Sequence, residues 1–249
     1  MAKVFIAIPQ YRKMTAYEIG RVSRKLKVRG WKPMLDGFHP IVDMSIQSSY
    51  NNPHTIRYST ITGDGNLPRA RSFNLAVWRK EYDNPDLRCD YYLVMDDDIS
   101  FSTDAIDILV KDDLPIVGGI YTFKTQDPNV TGKACTRFFD NQQYSTTEPF
   151  KVKWLNGGFI MIKAETILTM IDAYPELMFD VPRHTSNIEA DKTWALWCPM
   201  VYKNERETFF LDEGWAFCQR ARQLGFDIWA DLRVKLIHWD RENGYSIGV

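Results

Sequence analysis

The run Asp90–Met95 (DYYLVM) constrains the fold most strongly, because it is almost wholly apolar and leads directly into three aspartates. Short apolar runs of this kind are typical of strands buried on both faces of a parallel sheet. Ligands of such sheets bind outside the carboxyl ends of the strands, near a switch in strand order. The sequence therefore predicts that Asp96, Asp97 and Asp98 lie at a binding edge.

Strand-like and helix-like segments alternate along the rest of the chain. Strands are predicted at Val4–Ile8, Leu114–Ile120, Phe226–Ala230 and Val234–Ile237, and helices at Thr15–Val28, Arg69–Lys80, Thr103–Lys111, Ala164–Ala173 and Gly214–Leu224. Val152–Ile162 is predicted to be a strand pair, or a strand with a turn at Asn156–Gly157–Gly158. Residues 36–68 are predicted to be loops with at most a short hairpin, and residues 179–208 an irregular aromatic segment. This order predicts an α/β fold, with a mostly parallel central sheet flanked by helices.

Composition narrows the function classes. With 249 residues, 45% of them hydrophobic, the chain is long enough for one α/β domain and too apolar for disorder. A net charge of −1 gives no support to non-specific nucleic-acid binding over a broad basic surface. The four cysteines have no CxxC spacing, which disfavours a structural zinc site and suits a reducing compartment. Since no apolar run matches a signal peptide or a membrane span, we expect a soluble, cytoplasmic protein.

The aspartate run is a candidate metal site. Adjacent carboxylates at a strand end repel one another, and a bound cation would offset that repulsion. Mg²⁺ and Mn²⁺ prefer oxygen ligands. In an extended segment Asp96 and Asp98 would share one side and Asp97 would take the other. The alternative is a solvated turn before a helix that Ser102 or Thr103 caps.

His238 is a second candidate ligand, since it follows the apolar run Val234–Ile237 at the far end of the chain. A neutral imidazole is a competent ligand for Mn²⁺. The alternative is an ordinary structural or surface histidine.

Six segments resemble, in their order and spacing, glycosyltransferases of the GT-A type, in particular small family-2-like enzymes of bacteria and phages. They are VFIAIP (4–9), LPRARSFNLAV (67–77), DYYLVMDDDISF (90–101), LPIVGGIYTFK (114–124), WLNGGFIMIKAE (154–165) and LDEGWAFCQRARQLGFDIWADLRVKLIHW (211–239). The resemblance covers most of the chain. It implies a single Rossmann-like GT-A domain over residues 1–249, with residues 1–125 binding a nucleotide-sugar and residues 126–249 binding the acceptor.

The resemblance also implies roles at the donor site. Asp96 and Asp98 would form the DxD pair, in which Asp98 binds Mn²⁺ or Mg²⁺ directly and Asp96 reaches the metal or the ribose. His238 would complete the metal site. The residues implied to contact the nucleotide or its sugar are Pro9, Gln10, Tyr11, Asp97 and either Arg69 or Arg71, whose guanidinium fork matches phosphate oxygens.

Two stretches with paired glycines also match the family. Asn156–Gly157–Gly158 resembles the small-residue turn beneath the donor sugar, although a plain hairpin turn explains the same residues. Gly118–Gly119, followed by Tyr121 and Lys124, matches a stretch near the donor pocket, where we expect the glycines to serve packing.

The resemblance places a general base for the acceptor hydroxyl near Asp212 and Glu213. Relatives carry a Glu-Asp pair before Phe217–Cys218; here Glu213 matches the Glu, and Gly214 stands at the Asp position. Either acid could therefore be the base in an inverting reaction, and a retaining reaction would need none. The alternative is that both acids favour the start of a helix.

The acceptor is expected to meet residues 179–210, whose rings either stack on it or form a local core. The rings in question belong to His184, Trp194, Trp197, Tyr202, Phe209 and Phe210. A glycan, a lipid-linked sugar or a hydroxylated DNA base would each present a suitable hydroxyl, and the near-neutral charge disfavours DNA.

Three other functions compete with sugar transfer. A nucleotidyltransferase would use a similar acid pair on a nucleoside triphosphate, but residues 9–13 lack the glycines of a phosphate loop. An inactive sugar-binding relative would keep the fold without catalysis. A purely structural protein would tolerate alanine at all three aspartates.

Overall fold

The computed structural model describes residues 1–28, 30–125, 133–141, 143–182, 188–240 and 243–246. The helices in these ranges are α1 (Ala16–Lys25), α2 (Pro40–Ser49), α3 (Leu67–Tyr82), α4 (Ala105–Asp112), α5 (Ala164–Ala173) and α6 (Glu213–Gln223). The strands are β1 (Lys3–Gln10), β2 (Thr55–Thr62), β3 (Tyr91–Met95), β4 (Ile99–Phe101), β5 (Ile116–Gly119), β6 (Phe150–Val152), β7 (Phe159–Lys163), β8 (Met178–Asp180), β9 (Lys192–Trp194), β10 (Met200–Lys203), β11 (Thr208–Leu211), β12 (Ile228–Asp231), β13 (Leu236–Asp240) and β14 (Asn243–Tyr245).

A seven-stranded sheet in the order β2-β1-β3-β7-β5-β12-β6 forms the centre of the fold. β2, β1, β3, β5 and β12 run in one direction, whereas β7 and β6 run against their neighbours. The carboxyl ends of five strands therefore meet at one edge. At that edge β13 pairs with β4 and β14 in a smaller sheet. The predicted α/β fold, with a mostly parallel sheet flanked by helices, is confirmed.

β1 illustrates why apolar runs become central strands here. Val4, Ile6 and Ile8 join a core cluster that includes side chains of α2 and α4. Phe5 and Ala7 point to the other face, into a cluster that includes side chains of α3, α5 and α6. Successive strand residues alternate between faces, so a continuous apolar run suits a sheet covered on both sides. Fully burying one such large side chain contributes roughly 1.5–3 kcal/mol.

The prediction of loops over residues 36–68 is wrong, because this stretch forms α2 and β2. α2 begins with Pro40, whose fixed φ suits the first helical turn. β2 pairs with β1 from Lys3↔Thr55 to Gln10↔Thr62. Pairing with β1 therefore decides the structure of a segment whose own composition is loop-like. The stretch 179–208 likewise contains β9 and β10, where an irregular segment was predicted.

The other predicted elements are confirmed within a few residues, except for Val152–Ile162. That stretch spans the end of β6 and most of β7, which do not pair with each other, because β6 pairs with β12 and β7 lies between β3 and β5. The alternative of a plain hairpin turn at residues 156–158 is therefore wrong. The bounds of α5 agree with those predicted, and α6 is followed by Gly225 at φ 87°, the left-handed stop expected there. The four cysteines are free thiols. In the described ranges, no helix is both long enough and apolar enough to cross a membrane.

A buried acid pair joins the end of α4 to the end of β12. Asp231 is fully buried, Asp112 nearly so, and Arg233 forms ion pairs with both carboxyl groups. Burial, together with the neighbouring Asp231, raises the pKa of Asp112 to about 6, although Arg233 opposes the rise. The pKa of Asp231 is lowered, since the hydrogen bonds from Arg233 outweigh burial.

We expect Asp112→Asn to remove a pH dependence of stability. Folding raises the pKa of Asp112, so the protonated form is favoured in the folded state, and the free energy of unfolding falls as pH rises through about 6. Asp112 should contribute a loss of about 1–2 kcal/mol between pH 5 and pH 8, so the asparagine variant should lose less stability over that range than the wild type by this amount. Urea unfolding at both pH values measures this. Asp227→Asn, which alters an exposed pair with Lys151, is the control, and equal pH dependence in all three proteins would contradict the prediction.

Candidate active site

The three aspartates form a turn at the end of β3. The backbone N–H of Ile99 donates to the carbonyl of Asp96 at 3.3 Å, and that of Trp239 donates to the carbonyl of Asp98 at 2.8 Å. The predicted alternation of side chains is wrong, because the extended geometry ends with the strand. The capping alternative is wrong as well, since the residue preceding α4 is Asp104 and its side chain makes no cap hydrogen bond.

Asp98 faces a histidine from the far end of the chain. Its Oδ1 atom lies 3.4 Å from His238 Nε2. This oxygen is buried and has no hydrogen-bond partner among the described residues. The carbonyl of Thr122 lies 2.8 Å from His238 Nδ1, which therefore carries a proton, and in the neutral ring Nε2 presents its lone pair. A carboxylate oxygen and an imidazole lone pair converge here, as in a site for a divalent cation.

Burial and neighbouring charges shift the pKa values of the three aspartates in different directions. Burial raises the pKa of Asp96, and burial with the adjacent acids raises the pKa of Asp97 to about 8. Burial acts on Asp98 too, but the proximity of His238 and the charge of Lys124 outweigh it and lower its pKa. Lys124 Nζ forms an ion pair with Asp98 Oδ2. Asp98 is therefore the member of the run best held as a carboxylate.

The donor atoms fit a cation that is shared with a substrate. In the described part of the chain, no three His, Cys, Asp or Glu side chains gather as a complete metal cage. Asp98 and His238 supply one oxygen and one nitrogen. Mg²⁺ and similar ions are commonly bound by one or two protein groups, with phosphate and water oxygens completing the shell.

A cavity of about 280 Å³ opens beside the acid turn. Its lining includes Asp97, Asp98, Lys124, Tyr11, Phe38, His39 and Trp239. The rings of His39 and Trp239 stack at a centroid distance of 4.8 Å, and Tyr11 is 70% exposed. Flat aromatic rings of this kind offer faces on which a planar ring of a ligand can stack.

Of the three β1-end residues implied to contact the nucleotide, Tyr11 alone lines this cavity. Pro9 is buried in β1. The Gln10 side chain donates to the carbonyl of Gly37 at 3.2 Å and accepts from Thr62 Oγ1 at 2.9 Å. Gln10 therefore ties β1 to β2 and to the loop that forms one wall of the cavity.

The two arginines implied to reach the donor lie in different surroundings. Arg69 is exposed and makes a bidentate pair with Asp64, at 2.7 and 2.8 Å. Arg71 is buried and donates to Asp96 Oδ1 at 2.8 Å and to the carbonyl of Gly157 at 2.7 Å. Neither side chain lines the cavity. The contacts of Arg71 hold Asp96 and the glycine turn in place.

The turn at residues 156–158 is packed too closely for side chains. A Cβ on Gly157 would lie 1.9 Å from Arg71 Nη1, and one on Gly158 would lie 2.4 Å from Tyr121 Oη. The N–H of Gly158 donates to that hydroxyl at 2.9 Å. Asn156 Oδ1 accepts from the N–H of Gly157 at 2.9 Å. The residues are small because the turn meets Arg71 on one side and Tyr121 on the other. Gly118 and Gly119 serve packing as expected.

Asp212 and Glu213 lie beside this turn, at the start of α6. Asp212 is the N-cap, accepting a backbone N–H at 3.1 Å, and burial raises its pKa. Glu213 Oε1 lies 3.8 Å from Arg71 Nη2. A Cβ on Gly214 would lie 2.3 Å from the backbone nitrogen of Gly157. Residue 214 therefore has no room for a side chain, although the enzymes that the sequence resembles carry an acid at this position. Asp212 and Glu213 remain the two candidates for the predicted general base.

The aromatic segment contributes mainly to the core. Its rings packed in or against the core are those of Trp194, Trp197, Tyr202 and Phe209. Phe210 is 73% exposed and remains available to a ligand. His184 lies outside the described residues.

Sequence reasoning missed two parts of this site. The Thr122 carbonyl orients His238, and a backbone acceptor leaves no signal in residue type. His39 stacks on Trp239; its position before Pro40 could have indicated the start of a helix that brings it to the edge.

No protein-family model matches the chain, and no curated protein sequence matches it. Solved structures resemble it at low identity. A197 from STIV is 12% identical with a TM-score of 0.52, over 100% of this chain and 95% of that one. TarS from S. aureus, in complex with UDP-GlcNAc, is 12% identical with a TM-score of 0.31, over 68% and 47%. GalNAc-T7 with UDP, GalNAc and Mn²⁺ is 10% identical with a TM-score of 0.42, over 100% and 46%. The likeness to A197 concerns the fold alone.

We expect Arg71→Met to lower the free energy of unfolding by about 3 kcal/mol, because it leaves the Asp96 carboxylate without its buried partner. Adding Asp96→Asn should recover part of that loss, since the uncompensated charge is then removed. Chemical denaturation of the two variants and of Asp96→Asn alone gives the coupling. Arg69→Met is the control, because Arg69 forms an exposed ion pair, and its free energy of unfolding should be close to that of the wild type. Additive losses in the double variant would contradict this account.

Proposed function

We propose that this protein is a metal-dependent glycosyltransferase that moves a sugar from a nucleotide-sugar to a hydroxyl acceptor. The observation that carries the proposal is the convergence of Asp98 Oδ1 and His238 Nε2, 3.4 Å apart, beside the cavity. The rings of Tyr11 and Trp239 would hold the nucleobase. The diphosphate would then lie against the acid turn, where its oxygens complete the coordination of the cation.

The ion would be Mn²⁺ or Mg²⁺, held by Asp98 and His238, and it would neutralise the charge that develops on the departing nucleoside diphosphate. Asp96 has a supporting role in this proposal, because Oδ1 accepts from Arg71 at 2.8 Å. Asp97 lines the cavity and would face the ribose or the sugar. The glycine turn would lie beneath the sugar, as in the enzymes that the sequence resembles.

Asp212 is our candidate for the general base. The raised pKa of Asp212 suits proton abstraction. Glu213 lies 3.8 Å from the buried guanidinium of Arg71, and its role would be to hold that guanidinium in position. Both acids directly follow β11, which carries the exposed Phe210. An acceptor ring that stacks on Phe210 would therefore contact a residue close in sequence to the candidate base. The acceptor would be a glycan, a lipid-linked sugar or a hydroxylated DNA base, bound mainly by residues 126–249, with residues 1–125 binding the donor.

We expect one family of nucleotide-sugars to raise the melting temperature in the presence of Mn²⁺. Binding to the folded state alone adds about 2.7 kcal/mol when the free ligand is at 100 times its Kd. UDP-, GDP-, CMP- and dTDP-sugars would be compared with and without Mn²⁺. The shift should be lost in Asp98→Ala and His238→Ala and kept in Asp227→Ala, an exposed acid that pairs with Lys151 and does not line the cavity. A shift with nucleoside triphosphates alone would favour nucleotidyl transfer and contradict the proposal.

We expect Asp212→Asn to lower kcat by about 10²–10⁴-fold with little change in stability, because asparagine caps helices as well as aspartate does. Glu213→Gln should lower kcat less. Initial rates with the donor identified above, at saturating acceptor, measure both. Equal, small losses in the two variants would mean that neither acid is the base, as in a retaining reaction.

A further inference from the structure

Lys124 forms an ion pair with Asp98, the residue proposed to bind the cation. The ammonium group contacts Asp98 Oδ2. The other oxygen of the same carboxylate faces His238 Nε2. A divalent cation that binds Asp98 must therefore compete with an ammonium group that is already there.

The chain segment that carries Lys124 also builds the rest of the site. Tyr121 contacts Gly158 N–H through its hydroxyl, and its ring meets the His238 ring edge-on at 5.0 Å. The Thr122 carbonyl holds His238 Nδ1 at 2.8 Å. These two residues are buried, whereas the Lys124 side chain is 30% exposed and lines the cavity. The segment is thus fixed at its base, and the long lysine side chain is the part that can turn toward a ligand.

We propose that Lys124 is a positioning residue that neutralises Asp98 until a cation arrives and then pairs with the diphosphate of the donor. This inference rests on the proposed function. A cation that binds without a nucleotide must break the ion pair between Lys124 and Asp98, and the ammonium group gains no new partner. The cation alone therefore binds weakly. With a nucleoside diphosphate present, the released ammonium gains phosphate oxygens as partners, and the cost of breaking the pair is offset. Cation and nucleotide therefore bind with positive coupling, and Lys124 is a source of that coupling.

The test is the affinity for Mn²⁺, measured from the EPR signal of the free ion, with and without UDP. Lys124→Gln removes the charge and keeps most of the length of the side chain, and Lys124→Arg keeps the charge. Lys163→Gln is the control, because Lys163 also forms a partly buried ion pair, with Asp113 at 2.8 Å, at the opposite end of the strands. Melting temperatures establish that each variant is folded.

Without UDP, we expect Lys124→Gln to bind Mn²⁺ about tenfold more tightly than the wild type, since an ion pair of modest strength no longer opposes the ion. UDP should then improve its Mn²⁺ affinity about tenfold less than it improves that of the wild type. Lys124→Arg and Lys163→Gln should resemble the wild type in both respects.

Two results would overturn the inference, and they have different meanings. If Mn²⁺ binds the wild type and binds Lys124→Gln no more tightly, the lysine does not compete for Asp98, and the proposed function is unaffected. If Mn²⁺ binds neither protein, with or without UDP, the metal-dependent function fails together with the role of Lys124.

Discussion

A buried guanidinium, that of Arg71, is the group on which the geometry of the candidate site depends. Removing a charge from water costs several kcal/mol unless partners compensate it. The partners here are the Asp96 carboxylate, the Gly157 carbonyl and, at 3.8 Å, the Glu213 carboxylate. They belong to the end of β3, to the turn before β7 and to the start of α6. One charge thus sets the relative positions of the acid turn, the glycine turn and the helix that carries the candidate base.

This arrangement depends on the one antiparallel strand in the middle of the sheet. β7 runs against β3 and β5, so the turn that precedes β7 lies at the same edge as the carboxyl ends of its neighbours. The acid turn and the glycine turn are therefore adjacent, and the N–H of Asp96 donates to the carbonyl of Gly158 at 2.9 Å. The glycine turn therefore forms part of the sheet edge at which the parallel strands end, which is where ligands of such sheets bind.

The sequence predicted those features that depend on local periodicity. The strand before the aspartates, the bounds of α5 and the stop at Gly225 follow from apolar spacing and from a left-handed residue, and the structure confirms them. β2 could not be predicted in this way, since its conformation comes from pairing with β1. The burial of Arg71 could not be predicted from the sequence either. An arginine on a helix has the same local sequence pattern whether its side chain faces solvent or an acid from another element. The pairing of Asp98 with His238 entered through the family resemblance rather than through spacing.

The separation of Asp98 and His238 along the chain has a further consequence. The two residues come from distant parts of the sequence, and they are adjacent because β13 pairs with β4. Bringing distant residues together costs loop-closure entropy, which only the folding of the intervening chain can offset. A fragment that lacks β13 would therefore keep the three aspartates without the facing imidazole, so the candidate cation site is a property of the assembled fold rather than of the acid run.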